Sequence, residues 1–170
     1  MADLTTALQT HHQAVDEFVA AAGAVPSVKW GEARVAGKWS PGQVAEHVAL
    51  AYEVNRRVLH GMASGAAAPR FVRPLIRTFL LNPVLRRGAF IPGSKSPKVF
   101  RPSASPASPA ELLARLRAAA NAFEVDAAAA ATAGGTIDHP FFGQLPLIDF
   151  VRLQEIHTRH HRGQVARAAA

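Results

Sequence analysis

The sequence predicts an all-α protein built as a four-helix bundle, and three observations favour this class. The 170-residue chain has the length of one domain. Its apolar share of 49% includes only 7% aromatic residues and much alanine, the strongest helix former. Four stretches place apolar side chains at alternating steps of three and four, and no convincing period-two run competes with them. We therefore expect a single domain over residues 1–170.

The first two predicted helices have clear signals. Residues 3–22 carry an apolar stripe made of Leu4, Leu8, His11, Val15, Phe18 and Ala22. In the second helix, Ser40 is the predicted N-cap, Pro41 takes the first helical position, and Gln43 completes an S-x-x-Q capping box. Its core stripe runs through Val44, His47 or Val48, Ala51, Val54, Val58 and Met62.

The connection between the second and third helices, residues 69–108, is long, basic and rich in proline. Ten Lys or Arg residues and no Asp or Glu lie between Glu53 and Glu111. Such a segment could attract nucleic acid, an anionic membrane surface or an acidic small molecule. The alternative is a solvated, arginine-rich surface.

Prolines divide this connection. Pro74 and Pro83 interrupt residues 69–87, which we expect to form short helical pieces. Residues 88–109 are predicted to be a long loop, and loops of that length in a compact domain are usually functional or disordered.

The last two helices follow this connection. Ser108 and Glu111 form a second capping box, and Gly134 follows the end of the third helix. The fourth helix is predicted to begin at Pro146, after a structural plug at residues 139–143. Its inner stripe consists of Phe150, Leu153, His157, His161 and Gln164.

Histidine spacing gives the chain its candidate chemistry. His157 and His161 lie four residues apart on one helix face, so their rings can converge on one ion. Two imidazoles alone bind weakly, and His47 on the second core stripe is the candidate third ligand. His47 lies roughly 9 Å from the start of its helix and His161 roughly 10 Å from the end of the last one. If those ends share one face of the bundle, a three-histidine site with open coordination positions results.

Three other polar residues are candidates for supporting roles. His160 faces the edge of this site and is a candidate catalytic acid or base, with a plain surface position as the alternative. Gln164 is expected to hold a ligand ring or a water molecule by hydrogen bonding. His11 is expected to be a satisfied core histidine or a group that supports a ligand, rather than a fourth ligand.

Several site classes are excluded or disfavoured by residues that are missing. The chain has no cysteine, which removes disulfides, thiolate ligands and a cysteine nucleophile, so thiol chemistry would need an external thiol. Thr158 after His157 breaks the H-E-x-x-H motif of zincins. Acids are too few for a carboxylate-rich di-iron site.

Two segments carry a resemblance to a known family. Residues 39–48 (W-S-P-G-Q-V-A-E-H-V) and 157–164 (H-T-R-H-H-R-G-Q) resemble the second-helix motif and the closing H-x-x-H-H-x-x-Q motif of the DinB-like superfamily of metal-dependent enzymes. Residues 139–145 look similar to an uncharacterised branch of it. The resemblance implies an up-down-down-up bundle and a divalent ion, usually zinc or nickel, on His47, His157 and His161. Characterised relatives include a mycothiol-dependent maleylpyruvate isomerase and S-transferases that use bacillithiol or similar thiols.

Two classes of function follow. The first is a metal-dependent thiol S-transferase or hydrolase, in which an activated low-molecular-weight thiol or water attacks a small, anionic substrate. The second is a non-catalytic, stress-related binding module that uses the basic segment 54–110 to contact an anionic partner. Sparse aromatic residues disfavour nucleic acid as that partner. A third possibility is a bundle that has lost activity and forms a homodimer through its alanine-rich faces. The lack of a long apolar run predicts a cytoplasmic protein with no membrane span.

Overall fold

Four long helices make up most of the computed structural model, which describes residues 3–62, 67–90, 96–132 and 134–169. The α-helices are α1 (Leu4–Gly23), α2 (Ser27–Trp30), α3 (Pro41–Leu59), α4 (Arg73–Ile76), α5 (Asn82–Arg87), α6 (Pro109–Thr132) and α7 (Leu147–Ala169). Short 3-10 turns occupy Arg70–Val72 and Lys98–Phe100, and a π turn occupies Arg77–Leu81. The strands are β1 (Thr136–His139) and β2 (Gly143–Pro146). The predominantly helical fold agrees with the predicted all-α class.

The predicted start of the second long helix is confirmed. The Ser40 hydroxyl accepts a hydrogen bond from the Gln43 backbone N–H at 3.2 Å, and the Gln43 side chain accepts one from the Ser40 N–H at 3.0 Å. These bonds satisfy two backbone donors that a helix end would leave unpaired. The capping box therefore fixes where α3 begins, and with it the height of His47.

The long helices pack in pairs around a shared core. Helix α1 packs mainly on α7, and α3 packs mainly on α6, while α1 with α6 and α3 with α7 make the smaller contacts. Four aromatic side chains at the centre are fully buried: Phe18, Tyr52, Phe123 and Phe150. Each large apolar side chain of this kind contributes about 1.5–3 kcal/mol on burial. The α3–α7 contact brings together the two helices that carry the predicted metal ligands.

The connection before α6 contains the short helical pieces that the prolines predict. Its second half is tied to the bundle, since the Trp30 indole donates to the Ala107 carbonyl at 2.9 Å and the Gln43 amide donates to the Ser103 carbonyl at 3.0 Å. The described residues 96–108 are therefore held against the start of α3.

A β-hairpin precedes α7, which corrects the predicted start of that helix at Pro146. Strand β1 pairs antiparallel with β2, so that Thr136 lies opposite Pro146 and His139 opposite Gly143. Pro146 therefore ends β2, and the helix begins at Leu147. Strands of four residues are too short for period-two alternation to stand out in the sequence.

None of the helices in the described part of the chain is both long and apolar enough to cross a membrane.

Candidate metal centre

Three histidine side chains converge between α3 and α7. His47 Nε2 lies 3.0 Å from His157 Nε2, and His161 Nε2 lies 3.1 Å from the same atom. One possible ligand atom from each ring lies within 4.8 Å of the other two. His47 and His161 are buried and His157 is partly buried. The three predicted ligands thus meet at one point and form a group that could hold a metal ion.

Hydrogen bonds on the far side of two rings determine which nitrogen faces this point. His47 donates from Nδ1 to the Phe100 carbonyl at 2.7 Å, and His161 donates from Nδ1 to the Gln164 side-chain oxygen at 2.9 Å. In the neutral imidazole the other nitrogen is then an acceptor, so both rings direct an unprotonated Nε2 inward.

With these ring orientations, at least one of the two N–N contacts of His157 has no hydrogen atom between its nitrogens. His157 Nε2 faces both acceptors and can donate at most one N–H to them. In at least one of the two contacts, the lone pairs of two buried nitrogens therefore face each other, which is unfavourable. A cation at the centre would satisfy all three lone pairs, and neutral imidazoles are common ligands of divalent ions. The donor set fits such an ion.

Burial keeps these rings neutral. It lowers the pKa of His47, and it lowers the pKa of His157 well below the usual range, with His161 and His47 adding to the shift. Burial, with His47 nearby, lowers the pKa of His161 to about 3. Neutral rings are the form that binds metal, so the site is ready for a ligand role at neutral pH.

Aromatic side chains form the walls of the site. The Trp39 ring centre lies 4.8 Å from that of His47, and the Phe90 ring centre lies 5.5 Å from that of His157. Phe100 contributes both its carbonyl and a ring, 6.4 Å from His47. Phe90 and Phe100 were not predicted, because they come from the aperiodic connection before α6.

A family model described as the DinB superfamily matches residues 10–165. The chain belongs to the DinB superfamily. The match contains all three converging histidines, and the superfamily is metal-associated. No curated protein and no solved structure matches the chain.

In this DinB superfamily protein, Gln164 links two histidine rings at the edge of the site. Its side-chain oxygen accepts from His161, and its amide nitrogen donates to His160 Nε2 at 3.1 Å. His160 is partly exposed, its ring centre lies 5.0 Å from that of His161, and burial together with Arg167 lowers its pKa. Both residues thus lie next to the candidate ligand His161.

His11 lies in a separate hydrogen-bonded cluster at the centre of the bundle. Its ring contacts Glu124 Oε1 through Nδ1 at 2.7 Å and the Tyr52 hydroxyl through Nε2 at 2.9 Å. Tyr52 in turn shares a 2.5 Å hydrogen bond with Thr158, the residue after His157. The partners of His11 are therefore the buried Tyr52 and the partly buried Glu124, and its link to the converging rings runs through Tyr52 and α7.

The remaining described histidines lie elsewhere. His12 pairs with Glu124 at 3.2 Å and His60 with Asp126 at 3.1 Å, both near the surface. His139 lies in the hairpin, where its ring stacks on Phe142 with centres 4.5 Å apart.

Proposed function

We propose that this DinB superfamily protein is a divalent-metal-dependent enzyme in which His47, His157 and His161 bind the ion through Nε2. The observation that carries the proposal is the meeting of two acceptor nitrogens with a third within 3.1 Å. A bound divalent ion lowers the pKa of a thiol or of water, and so supplies a nucleophile at neutral pH. Zinc and nickel are the metals we propose. The reaction is a thiol S-transfer or a hydrolysis on a small, anionic substrate.

The side chains around the proposed ligands divide the remaining work. Gln164 and the Phe100 carbonyl orient two ligand rings, as hydrogen-bonded groups behind metal ligands commonly do. Phe90 and Trp39 restrict water at the site. We assign proton transfer to His160, because its partly exposed imidazole borders the site. Since Nε2 accepts from Gln164, the neutral ring carries its proton on Nδ1 and can act as the acid that protonates the leaving group.

We also propose the up-down-down-up order of the long helices in one domain. Support comes from the order of the paired residues. Residue numbers rise together in the α3–α6 pairs Glu53–Arg115 and Arg56–Asp126, and they run in opposite directions in the α3–α7 pairs His47–His161 and Asn55–Gln154. The up-down-down-up order requires α3 and α6 to run parallel to each other and α7 to run antiparallel to both.

Consumption of free thiol tests the enzymatic proposal. The protein is reloaded with zinc or nickel and incubated with glutathione or another low-molecular-weight thiol and an electrophilic acceptor. We expect thiol loss that requires the metal, disappears on chelation and is abolished in His157→Ala. His60→Ala, a surface histidine, serves as the matched control and keeps the activity. Thiol loss in the chelated protein or in His157→Ala that equals the loss in the metal-loaded wild type would contradict the proposal.

A further inference from the structure

The helical stretch Arg70–Arg87 turns large apolar side chains toward solvent. Phe71 is 82% exposed, Leu75 58%, Phe79 73% and Leu80 44%. Phe71, Leu75 and Phe79 follow one another at intervals of four, the spacing of neighbours along one helix face. We call these four residues the outer row. A contiguous group of exposed large apolar side chains typically marks an interaction site.

The side of the same stretch that faces the protein carries two arginines beside the partly buried apolar residues Val72 and Ile76. The Arg73 guanidinium donates to Asp138 at 3.3 Å and to the Ala68 carbonyl at 2.9 Å, and Arg77 donates to the Gln144 carbonyl at 2.6 Å. These bonds attach the stretch to the β-hairpin through its arginines. Apolar side chains thus lie on both sides of Arg70–Leu80, and the aromatic ones, Phe71 and Phe79, lie on the side that faces solvent.

The end of the stretch is anchored by ordinary apolar burial. Leu81, Val84 and Leu85 are buried, and α5 packs on α7. The outer row is therefore carried by a segment that is fixed at both ends. Its exposure is a property of the folded chain.

Positive charge flanks the outer row. Arg70 precedes it, Arg86 and Arg87 follow it, and all three are exposed. No Asp or Glu occurs in residues 54–110. Exposed apolar side chains bordered by long cationic side chains match the boundary of an anionic lipid layer, where the apolar groups enter the acyl region and the guanidinium groups meet phosphates.

We propose that the outer row, with Arg70, Arg86 and Arg87, docks this protein on the surface of an anionic lipid bilayer. This surface includes none of the three converging histidines, and the proposal does not depend on the metal.

A second copy of the chain fits the outer row less well. A two-fold contact places the same patch against itself, so the flanking arginines of the two copies would face one another without acids between them. At about 200 Å² for a large side chain, the four exposed fractions amount to roughly 500 Å², below the ~800 Å² per partner of a typical stable interface. Anionic lipid meets both the charge and the small area.

Co-sedimentation with vesicles tests the proposal on the whole 170-residue chain. Phosphatidylcholine vesicles are compared with phosphatidylcholine vesicles that contain phosphatidylglycerol. We expect binding to the anionic vesicles, little binding to the neutral ones, and weakening by salt. Replacing Phe71 and Phe79 together by serine should reduce partitioning about tenfold or more. The pair Arg86→Gln and Arg87→Gln should reduce it roughly tenfold to thirtyfold.

Val125→Ser is the matched control, because Val125 is a 68% exposed apolar residue on α6, outside the outer row. It should bind as the wild type does. Circular dichroism checks that each variant is folded. If the serine variant does not fold, the arginine variant still tests the proposal. Failure of the wild type to bind anionic vesicles at low salt, or undiminished binding by folded outer-row and arginine variants, would overturn the proposal. A wild-type dimer that the serine variant converts to monomer would also overturn it, by assigning the row to a second copy.

Discussion

His47 donates a hydrogen bond from Nδ1 to the Phe100 carbonyl at 2.7 Å, although 53 residues separate them in the chain. The bond leaves His47 Nε2 as the inward acceptor that meets His157. The proline-rich connection is therefore more than a linker, since its backbone orients a candidate metal ligand. The packing of this connection against α3 is therefore a part of the site that can be tested.

Gly42 lies where the connection packs most closely against α3. A Cβ at this position would lie 2.7 Å from Pro106 Cγ and 2.7 Å from Trp30 Nε1. We expect Gly42→Ala to lower the free energy of unfolding by about 1–3 kcal/mol, because the ring or the indole must move. Gly31→Ala is the control. Among the described residues, no packing atom lies within 4 Å of a Cβ placed there, and the φ of −91° is one that any residue adopts. Equal stability of the two variants in urea denaturation would contradict the packing described.

Gln164 is predicted to set metal affinity without binding the metal. Gln164→Leu removes the acceptor of His161 Nδ1 and frees the ring to rotate. We expect zinc or nickel affinity to fall about 10–100-fold, as measured by calorimetric titration of the metal-free protein. Gln13→Leu, which changes an exposed glutamine on α1, should leave the affinity unchanged. Unchanged binding in Gln164→Leu would remove this residue from the site.

Tyr52 is predicted to stabilise the bundle through its hydroxyl. Burial raises the pKa of Tyr52 above its ordinary range, so the group stays protonated and shares hydrogen bonds with His11 and Thr158. Tyr52→Phe removes the hydrogen-bond partner of His11 Nε2 and of the Thr158 hydroxyl in the core and should cost about 1–3 kcal/mol in thermal or chemical unfolding. Thr10→Ala, which removes an exposed hydroxyl, should change stability by less than about 0.5 kcal/mol. A loss in Tyr52→Phe no larger than that control would show that the cluster contributes little.

His139 is predicted to make stability depend on pH. Burial lowers the pKa of His139 to about 4, and its Nδ1 accepts hydrogen bonds from the Phe141 and Phe142 N–H groups. Between about pH 6.5 and about pH 4 the unfolded chain binds a proton that the folded chain does not. Stability therefore falls as the pH drops through this window, by about 3 kcal/mol at most for this group.

His139→Asn isolates that contribution, because an Asn side-chain oxygen can accept the same turn hydrogen bonds and does not titrate. The variant loses the stacking on Phe142 and should be somewhat less stable at neutral pH and above. Its stability should nevertheless decline less than that of the wild type between about pH 6.5 and about pH 4. Parallel pH profiles of urea unfolding would show that the His139 ring is not responsible.

The features that the sequence predicted correctly have local signals. The start of α3 is predicted by the capping residues Ser40 and Gln43, which lie three residues apart. That His157 and His161 lie on one helix face is predicted by their spacing of four residues. The place of His47 follows from its position on an apolar stripe. Each of these signals lies within one helix, where the period of the backbone determines direction.

The features that the sequence did not reveal depend on contacts between distant segments. Phe100 acts through a backbone carbonyl, which every residue possesses, so no side-chain pattern could single it out. Phe90 reaches His157 from a proline-interrupted segment without a period. The hairpin has only four residues in each strand, and the orientation of the stretch from Arg70 depends on partners such as Asp138 in that hairpin.

Metal content tests the central claim most directly. The wild type, His157→Ala and the surface control His60→Ala are purified side by side, loaded with zinc or nickel, freed of excess ion and measured by elemental analysis. We predict close to one divalent ion per chain in the wild type and in His60→Ala, and a large loss in His157→Ala. A wild type that retains no ion, or a His157→Ala variant that retains as much as the wild type, would contradict the account.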